Sequence, residues 1–165
     1  MAKPTTYATP ICIVLSILVI IGIIIGIWKH SPLIITILLL PAVGYEAYRT
    51  EGETTRWASW VMLGVIIAEL IVIIFNINYD LVRLFDTSEL YIGYTYLPLG
   101  NLKVMFPIIM IILSFILFFR TAGKYTKWLA ILIFISSIAI VYAIEPGMLK
   151  SLLHIGTDQS WRYMY

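Results

Sequence analysis

PICIVLSILVIIGIIIGIW, residues 10–28, carries no charged side chain from end to end. At a rise of 1.5 Å per residue, a helix of this length crosses the roughly 30 Å hydrocarbon layer of a bilayer. In water such a run would have no polar face to turn outward, so lipid is the solvent it requires. It is also longer than the 7–15 apolar residues of a secretory signal. It ends in Trp28, Lys29 and His30 with no small-residue cleavage pattern, and is expected to stay attached.

Four further stretches follow the same logic, at 33–48, 57–75, 102–119 and 127–144. The chain thus reads as a single all-α integral membrane domain with five transmembrane helices. The second is the shortest and contains Pro41, with Glu46 near its end. Neighbouring helices can satisfy the carbonyl that an internal proline frees, so a kinked span is expected. A four-span alternative leaves this segment re-entrant or interfacial. Composition agrees with the membrane class: of 165 residues 61% are hydrophobic and 12% charged, with a mean hydropathy of +0.98. Soluble domains carry about 25% charged residues.

The net charge of +2 is too small, and the basic residues too scattered, for a nucleic-acid surface. Cys12 is the only cysteine, which excludes disulfides within the chain and CxxC motifs. Lys3, Arg49, Arg56, Arg120, Lys124 and Lys127 fall on one side of the five-span arrangement. The positive-inside rule then places the N-terminus in the cytoplasm and the C-terminus outside. Tyr45, Tyr48, Trp57, Trp60, Tyr125 and Trp128 at one interface, and Trp28, Tyr79 and Tyr142 at the other, suit rings that prefer the headgroup level.

The other side of the bundle is expected to hold short interfacial segments. In the 76–101 connection, Leu81, Leu84 and Phe85 alternate with Asp80, Arg83 and Asp86 at helical spacing, and a stretch rich in Tyr, Gly and Pro follows. In the 145–165 tail, Pro146 and Gly147 break the fifth span, a second amphipathic segment runs over 148–154, and the aromatic end at 160–165 is expected to dock on something.

Three features are candidates for function. Glu69 is ionisable inside a span, which costs at least about 2.5 kcal/mol at a helix centre. Of its helical neighbours only Asn76 is polar, so these two are the candidates for an ion or proton site, or for polar packing. His30, Glu145 and His154 share the outer side and form a weak metal-ligand set, with no HxxxH-type spacing to bring them together. Gly22 and Gly26 form a GxxxG face that permits close helix packing in lipid. Glu46 and Arg49, three residues apart, are placed to pair. Walker, Rossmann, GxSxG and HExxH motifs are absent.

The GxxxG face, the poverty of chemical side chains and the aromatic tail lead to the expectation of a small non-catalytic accessory subunit of a larger membrane complex. A respiratory electron-transfer or membrane oxidase or monooxygenase assembly is one setting. The expected partners are other integral membrane subunits and the lipid bilayer, with bound lipid and no cofactor. The alternatives are a small ion- or proton-coupled transporter or channel using Glu69, and a metal or haem protein using His30 and His154.

Overall fold

The computed structural model describes residues 7–50, 52–77, 91–92, 95–96 and 102–147. Five helices account for nearly all of them: α1 Ala8–Trp28, α2 Pro32–Arg49, α3 Glu53–Ile74, α4 Leu102–Arg120 and α5 Lys124–Ile144. All five are long and apolar enough to cross a membrane. The second span is continuous through Pro41, and α4 likewise runs through Pro107. Between α3 and α4, Tyr91–Ile92 and Thr95–Tyr96 form a two-residue antiparallel pair, β1 and β2, with Tyr91 opposite Tyr96. The amphipathic segments expected at 79–86 and 148–154, the aromatic tail and His154 lie outside the described residues.

The turns joining the helices have local causes. Pro32 starts α2, where its missing N–H removes nothing that the helix needs. Helices α1 and α3 both end on a residue in the left-handed region, His30 at φ 47° and Asn76 at φ 49°. Around His30, the Ser31 N–H reaches the Gly26 carbonyl at 2.9 Å and the His30 N–H reaches Ile27 at 3.2 Å. Around Asn76, Ile77 reaches Val72 at 3.0 Å and Asn76 reaches Ile73 at 3.2 Å. Both are Schellman closures, which satisfy carbonyls that a helix end would otherwise orphan.

Side-chain bonds fix which helix ends lie together. Thr9 and Tyr125 share a hydrogen bond of 2.8 Å, and the Arg49 guanidinium lies 4.7 Å from the centre of the Tyr125 ring. The starts of α1 and α5 and the end of α2 therefore form one end of the bundle, called here the first end. Lys103 donates to Asn76 Oδ1 at 2.6 Å, which joins the start of α4 to the end of α3 at the second end. Successive helices run antiparallel around a ring, and α2 also packs across it against α5.

The ring is apolar outside as well as inside, as lipid solvation requires. Ile13, Ile17, Ile20 and Ile24 of α1 face outward, while Leu39, Val43, Met62, Ile66, Met110 and Ile133 fill the core. Trp28, Tyr48, Trp57 and Trp128 stand exposed near the helix ends, where an aromatic ring meets the headgroups. The two glycines of α1 face inward. A Cβ on Gly22 would lie 2.9 Å from Leu38 Cβ, and one on Gly26 would collide with Ile35, so α1 approaches α2 at these two glycines. Their packing partner is a helix of the same chain.

Candidate functional site

Burial in this bundle is uneven in chemistry. Besides the apolar core, Ser16, Thr36, Thr50, Thr55, Ser59, Ser114, Thr126, Ser136 and Ser137 are buried, and so are two carboxyl groups, Glu46 and Glu69. Most of the hydroxyls use the outlet that a helix offers, donating to the carbonyl one turn back. Ser136 donates to Leu132 at 2.7 Å, Ser137 to Ile133 at 2.8 Å, and Thr36 to Pro32 at 3.0 Å. The hydroxyl of Ser16 serves twice: it donates to the Cys12 carbonyl at 2.6 Å and accepts from Trp128 Nε1 at 2.9 Å, which ties α1 to α5.

The carboxyls have no such local outlet. Glu69 sits on α3 about 7.5 Å from the helix end at Ile74, by helical rise. Its exposure is 0%, and neither Oε1 nor Oε2 has a hydrogen-bond partner among the described residues. An uncompensated carboxylate in a medium of low dielectric is prohibitively costly, so this group must be accompanied by a proton or a cation. The polar stripe expected from Glu69 to Asn76 does not form. Asn76 is exposed at the turn, where its backbone caps α3 and its side-chain oxygen accepts from Lys103.

Glu46 lies near the first end, and it does not take Arg49 as its partner. Arg49 turns instead to the Tyr45 hydroxyl at 3.3 Å and to the Tyr125 ring. Glu46 turns inward, with 0% exposure. Its Oε1 lies 2.5 Å from the Thr50 hydroxyl and 3.0 Å from the Ser59 hydroxyl of α3, while its Oε2 is buried without a partner among the described residues. Sequence reasoning missed this cluster because pairing Glu46 with the nearer charge was the simpler use of the helix face. The signal present was Thr50, one turn beyond Glu46, together with Thr55 and Ser59 at helical spacing on the next span.

Among the described residues there is no group of three or more His, Cys, Asp or Glu side chains that could hold a metal. His30 is exposed at the turn between α1 and α2, and Glu145 caps the end of α5. Both lie at the second end of the bundle. The left-handed backbone gives His30 a local role, since His, like Asn, is enriched at such positions.

Fold and interior together define a multi-pass α-helical membrane protein with two enclosed carboxyl groups. No protein-family model, curated protein or solved structure matches the chain.

Proposed function

We propose that this chain is a small proton-coupled transporter or channel in which the Glu69 carboxyl is the group that binds and releases the proton. The observation that carries this reading is the complete enclosure of Glu69, with neither oxygen bonded among the described residues. A carboxyl kept only to join helices would be expected to hold a donor from a neighbouring helix, and a group with no exposure cannot reach one on another subunit. Leucine would fill the same space without the desolvation cost, so a role for the charge-bearing oxygens explains the residue better than packing does. A proton suits the site better than a metal cation, which would need several converging oxygens.

The test is proton flux by the purified chain in liposomes containing a pH-sensitive dye. Glu69→Gln keeps shape and polarity but cannot exchange a proton, and it is expected to abolish flux. Undiminished flux refutes the role.

A second reading, the non-catalytic accessory subunit of a larger membrane complex, is favoured by one feature. An apolar groove between α4 and α5, lined by Ser114, Phe115, Phe118, Ala130, Ile131 and Phe134, is left open at the bundle surface. Purification in mild detergent is then expected to recover stoichiometric membrane partners, and a chain that purifies alone refutes this reading.

A further inference from the structure

We infer that Glu46, with Thr50 and Ser59, is a second proton-binding station on the same interior line as Glu69, and that Met62 and Ile66 form the dry barrier between them. The inference rests on the reading of Glu69 as an exchangeable site. Its first support is a count of hydrogens at Glu46. The Thr50 hydroxyl lies 2.5 Å from Glu46 Oε1 and 2.9 Å from the Glu46 carbonyl, and the Ser59 hydroxyl lies 3.0 Å from Oε1 and 3.0 Å from the Thr55 carbonyl. Two hydroxyl hydrogens thus face three acceptor atoms, with Oε1 within reach of both. When Glu46 is a carboxylate, both hydrogens turn to Oε1. When it is a carboxylic acid, at least one returns to its helical carbonyl, and the acid O–H donates to the freed hydroxyl oxygen. The contacts at Oε1 suit both states without any heavy atom moving, as a site that takes up and gives back a proton requires, while Oε2 gains no partner in either state among the described residues. Arg49, the nearest cation in sequence on α2, is engaged by Tyr45 and Tyr125 and does not hold Glu46 in one state.

The second support is the placement of the two carboxyls. Ser59, Met62, Ile66 and Glu69 follow one another at spacings of three, four and three along one face of α3, and all have 0% exposure. Ser59 and Glu69 are separated by about 15 Å of helix rise. No proton crosses that distance past a thioether and an aliphatic side chain without water, and Met62 and Ile66 belong to the continuous apolar core. Transfer is therefore gated by wetting of this segment, as in hydrophobic constrictions of channels. In the step, the O–H bond of Glu69 breaks, water admitted between the two levels relays the proton and hydrates the carboxylate left on Glu69, and an O–H bond forms on the Glu46 carboxylate. The pair carries one negative charge before and after.

The test uses the full chain in liposomes with an internal pH dye. Met62→Ser is expected to raise proton flux about tenfold by wetting the barrier, whereas Val61→Ser, on the exposed side of the same helix, leaves flux at the wild-type level. Glu46→Gln is expected to abolish flux in both the wild-type and the Met62→Ser backgrounds. A readout independent of transport is the infrared carboxyl C=O band that shifts in D2O, recorded at a pH low enough to protonate both carboxyls. Glu46→Gln should remove one such band, lower in wavenumber than that of the unbonded Glu69, and Ser59→Ala should move it. Loss of flux with Glu69→Gln but not with Glu46→Gln overturns the second station and leaves the Glu69 reading standing. Undiminished flux in Glu69→Gln overturns both. Equal flux in Met62→Ser and Val61→Ser, or an infrared spectrum unchanged by Glu46→Gln, also overturns the inference.

Discussion

Replacing Gly26 by alanine tests how closely α1 and α2 approach. The new Cβ would collide with Ile35 Cγ1, lie 2.8 Å from Ile35 Cδ1, and lie 3.2 Å from the Ser31 carbonyl oxygen. The carbonyl belongs to the tight turn and cannot yield, and Ile35 is itself 1% exposed, with packed neighbours behind it. Overpacking of this kind costs about 1–3 kcal/mol, offset by about 1 kcal/mol from alanine's better helix propensity. A net loss of up to about 2 kcal/mol is expected, or a factor of up to about 30 in the folded-to-unfolded ratio. Gly64 on α3 is the control, because a Cβ there meets nothing within 4 Å. Gly64→Ala should keep the propensity gain, which sets the two substitutions apart by the overpacking cost, about 1–3 kcal/mol. The assay is reversible unfolding in detergent mixtures followed by circular dichroism. Adding Ile35→Ala should cost less in the Gly26→Ala background than alone, with a coupling of about 1 kcal/mol. Equal stability of Gly26→Ala and Gly64→Ala, or no coupling to Ile35, refutes the reasoning.

Other contacts give smaller, separable effects. Trp128→Phe removes the bond from Nε1 to Ser16 and should cost about 0.6–1.7 kcal/mol, the range found for hydrogen bonds between membrane helices; wild-type stability in the same unfolding assay would refute the bond. Tyr125→Phe loses the bond to Thr9 but keeps a ring beneath Arg49, so its cost should be smaller than that of Tyr125→Ala. Ser59→Ala withdraws one donor from Glu46 and is expected to cost about 1 kcal/mol, again read by unfolding. His30→Gly should stabilise by about 1 kcal/mol, because glycine occupies the left-handed region without penalty; destabilisation accompanied by loss of a bound metal would instead make His30 a ligand.

The unbroken apolar runs determined the class of this protein and, within a few residues, its five helices, because a span is a local property: length, hydropathy and the absence of charge suffice. Even the doubtful second span followed this rule, with Pro41 accommodated inside α2. GxxxG made Gly22 and Gly26 legible as a close-packing face, but only the tertiary structure named α2 as the partner. The carboxyls divide in the same way. That Glu69 would be costly was evident from its place in a span, since burial in lipid penalises any ionisable group. That it lacks a donor among the described residues, and that Asn76 belongs to a turn and to Lys103, depended on how the helices rotate against one another. Glu46 shows the limit most clearly. Sequence spacing offered Arg49 as its partner, whereas packing of α2 on α3 brought Ser59 to it across thirteen positions of chain, an encounter that no local periodicity encodes.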